Sequence, residues 1–421
     1  MDVMALGLYL SVPFCRTKCS YCNFASDVFS RVVFQRYVDR LCSDIANAAA
    51  VAEQMGGQFD PEADSVYLGG GTPTLLDSHQ LEKVFVTIRQ NFRLIPGAEI
   101  TVECAPGTLN AATLDTLLRN GVNRVSLGVQ SFVDQEAAAV GRLHKRTTTL
   151  DDVARLRAEG VSNINVDLIA GLPHQTAESW QFSLSEVLAT GVSHVSVYML
   201  EVDEDSRLGR ELIAGGTRYH AHSVPDDDLT ADLYVTACEQ LDSAGVRQYE
   251  ISNFAREGCE SRHNLKYWTR QPYLGIGVDA HSMLFASADP YLIVEAGEST
   301  KGPGGSPPCE ALAGDIEAVR LATADSLEQY VAGTAPRRTL VGRRQALEET
   351  FFLGLRLNRG VDLRSVMAQF GPVAVQRVMS AIHELLSEGL VQSDDSIIRL
   401  TPRGRLLSNE VFEQFLAPIE V

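Results

Sequence analysis

The feature that most restricts how this chain can fold is a rhythm in its first half, where six short apolar runs alternate with stretches of helical spacing. "LYLSVPF" (8–14) reads as a strand, and 34–54, rich in alanine with apolar residues at helical intervals, reads as a helix. "DSVYLGGG" is a strand ending in a glycine loop, followed by a helix over 78–92. "EITVECAP" and "RVSLGVQSF" are strands, and the helices after them end at Gly121 and Gly160, which suit the position just past a helix terminus. "INVDLIAGLP" leads into a helix with a third glycine stop at Gly191, and "HVSVYMLEV" (194–202) is a sixth strand. Such a succession predicts parallel strands joined by right-handed crossovers. The runs read as nearly continuous apolar strands, which suits a sheet buried on both faces, either doubly wound or closed into a complete or partial barrel. Cys15, Gly69–Thr72, Glu103, Gln130, Asp167 and Glu201 fall at the C-terminal ends of the six strands. In parallel α/β folds that edge carries the active site.

From about residue 205 the rhythm breaks. A polar loop, "GGTRYHAHSVPDDD", precedes a helix, "LTADLYVTACEQLDSAG"; the segment from "RQYEISNFA" to "HNLKYW" is strand-like and then loop-like. Residues 286–310 contain "STKGPGGSPPCE", the composition of a mobile connector. The last 80 residues read as a separate small domain: helices over 343–356 and 373–388, a hairpin in "GLVQSDDSIIRLT", and a final helix in "PRGRLLSNEVFEQFL". Helices followed by a β-wing suggest an α+β winged-helix-like shape. The predicted organisation is a core over 1–210, an extension over 211–310 and a C-terminal domain over 335–421.

Composition excludes several classes of function. The chain has 421 residues, a formal net charge of −18 and 45% hydrophobic residues. An acidic surface repels phosphate backbones, and the winged-helix-like region carries no basic stripe, so no nucleic-acid partner is expected and that region is read as a packing or interaction element. No window approaches the ~20 apolar residues of a membrane span. The N-terminus has no basic n-region or cleavage site and runs straight into the first strand, so a cytoplasmic location is expected.

Of the eight cysteines, Cys42, Cys104, Cys238, Cys259 and Cys309 are scattered and read as small buried hydrophobes. Cys15, Cys19 and Cys22 stand within eight residues in "CRTKCSYC", and position 24 is Phe24. A structural zinc site requires four ligands, and the next histidine is His79. Three thiolates instead hold three irons of a [4Fe–4S] cluster and leave the fourth open to a small chelating molecule.

"CRTKCSYC" together with "GGGTP" (69–73) resembles the radical S-adenosylmethionine (SAM) superfamily, whose open iron binds SAM. The glycines let backbone approach the methionine end of the ligand. The resemblance narrows to the family of oxygen-independent coproporphyrinogen III oxidase and the heme chaperone HemW. It rests on "YLSVPFC", "YLGGGTPT", "TVECAPGT", "VSLGVQSF", "NVDLIAGLP", "YEISNFA", "HNLKYW" and "IRLTPRGRLLSN". It implies a partial (β/α)6 TIM-like barrel of radical SAM type with a C-terminal winged-helix-like domain. It also implies that Tyr9 and Tyr21 flank the cluster and SAM, that Gly70, Gly71 and Thr72 meet the methionine moiety, and that Glu103, Gln130, Arg142 and Asp167 hold SAM by hydrogen bonds and charge.

Two marks separate the branches of this family. The oxidase adds a fourth cysteine where this chain has Phe24, and an N-terminal extension where this chain begins its first strand within ten residues. "HNLKYW" (263–268) fits the HNxxYW motif of HemW-type proteins, with His263 as the implied heme ligand and Tyr267 and Trp268 as flat faces for a porphyrin. His281 and then Cys259 are the next candidates for the iron. The leading expectation is a heme chaperone that carries heme, a [4Fe–4S] cluster and SAM, and passes heme to an apoprotein such as a membrane respiratory enzyme. The resemblance adds a homodimer formed through the cluster and, for a membrane-bound acceptor, peripheral docking at the inner face. The alternatives are coproporphyrinogen III dehydrogenase, and a radical SAM methyltransferase or heme-degrading relative.

Overall fold

The computed structural model of the protein describes residues 4–287 and 315–416. Cys309 and most of the expected connector over 286–310 lie outside the described residues. The six expected strands are β1 (Leu6–Val12), β2 (Glu62–Gly70), β3 (Arg93–Cys104), β4 (Arg124–Gln130), β5 (Asn163–Ala170) and β6 (His194–Met199). They lie side by side in that order, all parallel. Helices Val32–Gln54, Ser78–Asn91, Ala111–Arg119, Arg146–Ala158 and Ala177–Thr190 make the crossovers. Gly121, Gly160 and Gly191 terminate three of them with φ of +82°, +86° and +65°. At Gly121 the hydrogen bonds Gly121 N to Leu118 O (2.9 Å) and Val122 N to Leu117 O (3.1 Å) close a Schellman motif.

The sheet is wider than the sequence rhythm implies. Later in the chain come β7 (Arg247–Glu250), β8 (Asn253–Ala255), β9 (Tyr273–Gly277), β10 (His281–Phe285), β11 (Ile316–Ala322) and β12 (Arg337–Gly342). β8 and β7 extend the sheet beyond β6, while β9 pairs parallel with β1 and is followed by β10, β11 and β12. The result is a 12-stranded sheet curved as a partial TIM-like barrel.

The expectation of strands apolar on both faces is corrected here. Residues alternate strictly. Leu6, Leu8, Leu10 and Val12, with Val66, Leu68, Val102, Val125, Leu127, Val166 and Val195, pack outward against helix residues such as Tyr37, Leu41, Val84, Leu117 and Trp180. The other face is polar and cross-linked. Asn165 Nδ2 donates to Ser126 Oγ (2.8 Å) and Asp167 Oδ1 (2.7 Å), and His194 bridges Asn165 Oδ1 (2.6 Å) and Tyr249 Oη (2.9 Å). A barrel that encloses a polar interior needs only its outer face apolar, which imposes a period of two on each strand.

The HNLKYW segment lies on a helix, Arg262–Trp268, rather than in a loop. The expected final helix is two, Pro402–Leu406 and Ser408–Glu413, separated at Leu407. β13 (Val361–Asp362), β14 (Val391–Asp394) and β15 (Ile397–Leu400) form a small sheet beside helices Arg343–Gly354, Leu363–Phe370 and Pro372–Ser387, a winged-helix-like arrangement. Its core, including Phe351 stacked on Phe415 at 4.7 Å, is continuous with Met283, Ala318 and Val341 of the main sheet and with Ile251 in the turn between β7 and β8. The strand after residue 335, β12, belongs to the large sheet. Among the described residues, no helix is long and apolar enough to cross a membrane.

Glu349 fastens the C-terminal unit down. It accepts from Arg270 at 3.0 Å and from Arg320 at 2.7 Å, with Arg270 and Glu349 both largely buried. Removing the carboxylate leaves a buried cation unpaired, at a cost of about 3 kcal/mol or more. Glu349→Ala is therefore expected to lower the denaturation midpoint and to speed amide hydrogen exchange over 343–416, with β1–β6 less affected. Unchanged exchange there would show that apolar packing alone holds the unit.

Candidate functional site

The C-terminal ends of the parallel strands open into a cavity of about 1150 Å³. Cys15, Gly70, Gly71, Thr72, Glu103, Gln130, Asp167 and Glu201 all line it, as do Cys19, Cys22, Tyr21 and Arg142. Two expected positions do not. Gly69 points its missing side chain at Tyr67 and Glu103. Tyr9 lies deeper in the barrel, with its ring 6.1 Å from Tyr67 and 6.4 Å from His263.

The cysteine loop leaves β1 through Phe14, which is fully buried and stacked on Phe34 at 3.8 Å. Cys15 N donates to Asp27 O and Asp27 N to Pro13 O, both at 2.9 Å, which closes the neck of the loop. Lys18 Nζ donates to Ser26 O at 2.7 Å inside it. Thr17 Oγ1 to Gly141 O (2.8 Å) and Ser20 N to Val140 O (3.1 Å) tie it to the segment after β4. The three thiols are unbridged. Burial pushes the Cys15 thiol up, so its thiolate requires a metal or a cation for stabilisation. Arg142 supplies a cation, with Nη1 3.5 Å from Cys19 Sγ.

The glycine loop sits against this neck. Gly71 N donates to Val12 O and Thr72 N to Phe14 O, both at 2.7 Å. A Cβ on Gly71 would lie 2.6 Å from Phe14 O and 2.9 Å from Phe14 N, both backbone atoms that cannot yield. Only glycine fits there, because the β1 backbone fills the space its side chain would take, and the close approach sets the loop beside the cysteines.

Carboxylates face the cavity from β3 and β5. Glu103 Oε1 accepts from Tyr67 Oη at 2.7 Å, yet burial pushes its carboxyl up to about 7. Burial also raises Asp167, against the hydrogen bonds that favour its charge. Gln130 closes β4 with φ of +73°, a strained backbone for a residue with a side chain. Arg142 Nε is buried without a hydrogen-bond partner among the described residues.

These features fit the group the sequence implies. Three free thiols share one cavity, and among the described residues no three His, Cys, Asp or Glu side chains are placed to hold a single ion. In a [4Fe–4S] cluster each thiolate takes a different iron. The unpaired Arg142 Nε and the desolvated Glu103 are the partners an amino-acid-like ligand with a carboxylate and an ammonium would satisfy.

The HNLKYW residues are elsewhere. His263 is 1% exposed, with its ring nitrogens 3.0 Å from Ser65 Oγ and 2.8 Å from Tyr267 Oη. Burial, with Lys266 and Arg124 nearby, lowers it to about 3, so the ring is neutral. In this conformation it offers iron no free nitrogen. His281 is exposed near Asp279, and Cys259 is free and half-buried. Sequence reasoning missed His144, Tyr198, Arg356 and Arg403, which also line the cavity. The last two arrive from the C-terminal unit, and no local pattern signals them.

Glu103 has a measurable consequence. A carboxyl with its folded pKa raised above the unfolded value costs stability as pH rises from the unfolded value toward 7, because only the unfolded chain ionises freely there. Glu103→Gln keeps an oxygen for Tyr67 and removes that cost. Thermal melts of the ligand-free protein are expected to show the variant a few degrees more stable at pH 8 and the difference gone below pH 4.5. A variant no more stable at pH 8 would refute the desolvated carboxyl.

Comparison with known proteins identifies the family. The radical SAM superfamily model matches residues 9–186, and the HemN C-terminal domain model matches residues 341–407. The chain is 32% identical to the heme chaperone HemW of Bacillus subtilis over 420 residues, covering 98% of this chain and 99% of that one. It is 29% identical to the heme chaperone HemW of Lactococcus lactis, covering 97% and 96%. The structure of the radical SAM enzyme coproporphyrinogen III oxidase (HemN) from Escherichia coli superposes with a TM-score of 0.77 over 98% of this chain and 90% of that one, at 24% identity, a likeness of fold. Similarity that runs end to end along both chains places this protein in the HemW family of the radical SAM superfamily.

Proposed function

We propose that this protein is a heme chaperone, which takes up heme and delivers it to heme-requiring apoproteins. One observation carries the reading: likeness to proteins named heme chaperones extends over 98% of the chain. Phe24, on the cavity wall where the oxidase pattern wants a fourth cysteine, supports it.

Cys15, Cys19 and Cys22 would hold a [4Fe–4S] cluster with SAM on its fourth iron, a pair that supplies one-electron chemistry at the SAM sulfonium. The chain's own residues would do the rest. Arg142 stabilises the Cys19 thiolate, and its Nε is left to donate toward a carboxylate. Gly70, Gly71 and Thr72 present backbone to the methionine end of SAM. Glu103 and Asp167 accept from its ammonium and ribose hydroxyls, and an ammonium at Glu103 would draw that carboxyl back to its charged form. Gln130 adds a hydrogen bond, and Tyr21, packed against the cluster of Val140, Ile169 and Leu172, gives the ligand an apolar side. Tyr9 braces the layer beneath, against Tyr67 and His263. Iron ligation by His263 would require helix Arg262–Trp268 to leave its seat.

Acceptors would include membrane respiratory enzymes, met peripherally at the inner face from the cytoplasm. Phe24, Val28 and Val32 are 64%, 55% and 80% exposed on and just after the cluster loop. That apolar edge suits docking of an acceptor or of a second copy through the cluster loop.

Two measurements test this. Anaerobically reconstituted protein given SAM and coproporphyrinogen III is expected to release no protoporphyrinogen IX while binding heme in a saturable titration. Clear turnover would favour the coproporphyrinogen III dehydrogenase reading instead. Cys15→Ala, Cys19→Ala and Cys22→Ala should each lose most cluster absorbance and iron, whereas Cys42→Ala should keep both. A Cys19→Ala protein that retains a full cluster would remove that thiol from the site.

A further inference from the structure

The motif helix Arg262–Trp268 and the strand-end cavity meet the barrel interior at two levels, and Tyr67 lies between them. We propose that Tyr67 couples these levels, so that filling the SAM site and freeing His263 for heme iron oppose each other. This rests on the heme-chaperone reading with His263 as the iron ligand, and it assigns the regulation of that site.

The helix is seated at the level of Ser65 and Glu99, a registered pair of β2 and β3. Glu99 accepts from Arg262 N and His263 N, both at 3.1 Å. Ser65 Oγ lies 3.0 Å from His263 Nδ1. Lys266 Nζ donates to Ala5 O at 2.7 Å and pairs with Asp64 at 2.9 Å. The fit is close: a Cβ on Gly7 would lie 2.7 Å from Lys266 Cδ and 3.2 Å from His263 Cε1. The seat is nevertheless incomplete. Trp268 Nε1 and Asp64 Oδ1 are buried without a hydrogen-bond partner among the described residues, and such orphaned groups cost free energy. A helix seated at that cost can be displaced by a ligand that binds only the released form, and ligation of heme iron by His263 is such an event.

Tyr67 reaches from this seat to the cavity. Its ring centroid is 5.3 Å from that of His263 and 6.1 Å from that of Tyr9. Its hydroxyl donates to Glu103 Oε1 at 2.7 Å, and Glu103 lines the cavity. Gly69, two residues on along β2, makes room for this pair: a Cβ there would lie 2.8 Å from Tyr67 Cε1 and 3.0 Å from Glu103 Cδ.

An ammonium beside Glu103 favours the charged carboxylate, and a hydrogen bond to a charged acceptor is roughly twice as strong as one to a neutral acceptor. The strengthened bond fixes the Tyr67 ring where it packs on the seated His263. With His263 withdrawn, the ring loses that neighbour and the bond loses its support. An occupied SAM site therefore holds His263 in the barrel, and heme on His263 weakens the SAM site by the same factor. In a chaperone, SAM binding then acts as a signal for heme release.

The test is a ferric heme titration followed by absorbance, on cluster-reconstituted wild type and Tyr67→Phe, with and without saturating SAM. No reductant is present, so that SAM stays whole, and folding is checked by circular dichroism. The reciprocal SAM titration is made by equilibrium dialysis with and without heme. In wild type, SAM is expected to weaken heme binding by about fivefold or more, and heme to weaken SAM binding by the same factor. Tyr67→Phe keeps the ring and deletes the hydroxyl on Glu103, and there the factor is expected to fall to about one. A purely structural role for Tyr67 would shift heme affinity equally with and without SAM and leave the factor standing, as would direct overlap of the two ligands. Either result would overturn the coupling. So would a wild type in which SAM leaves heme binding unchanged or tightens it, with the chaperone reading intact. Failure of the wild type to bind heme would overturn both.

Discussion

Two backbone hydrogen bonds hold the functional architecture together: Gly71 N to Val12 O and Thr72 N to Phe14 O. They continue the β1–β2 ladder, whose last registered pair is Val12 with Gly70, past the ends of the strands. The cysteine loop and the glycine loop are thereby fixed against each other by main chain, without dependence on flexible side chains. The stacking of Phe14 on Phe34 anchors the same point from below. The placement of the three cysteines against Gly70–Thr72, and that wall of the cavity, follow from this junction. A side chain at Gly71 would strike it directly.

The second constraint is the polar barrel interior. Fully apolar strands would have given a packed centre and no cavity. Instead Glu103, Asp167, Asn165, His194 and the fully buried Arg124 share the inner face, most of them hydrogen-bonded to one another or to neighbouring strands. Burying carboxyls in an enclosed space costs stability and displaces the titration of Glu103 and Asp167 upward, against the pull of Arg124. A cationic ligand relieves that cost, so the interior is arranged to gain from binding. The same neutralising effect of burial leaves His144 and His263 uncharged.

Much of this is legible in the order of residues alone. Parallel strand–helix units force the residues after each strand to one edge, so Cys15, Gly71, Glu103, Gln130 and Asp167 could be grouped from order alone. The inner-face alternation in "RVSLGVQ" and "NINVDLIA" was also present, but small residues such as Ser126 and Gly128 blurred it into an apolar run. The partnership of β9 with β1 joins residues far apart in sequence, and no local pattern encodes it. The seat of His263 depends on Glu99 and Ser65 closing on its helix, a tertiary event. Arg403 reaches the cavity only because the Glu349 ion pairs and the shared apolar core dock the C-terminal unit on the sheet.

The central claim is that this radical SAM scaffold carries heme rather than converts a porphyrin. It is tested most directly by transfer. Protein reconstituted with its cluster, supplied with SAM and loaded with one equivalent of heme, is mixed with a heme-free acceptor enzyme, and the two are separated and scanned for heme absorbance. The account predicts that heme leaves this protein chemically intact and appears in an active acceptor. Heme retained on the protein throughout, or recovered as an altered porphyrin, would contradict it.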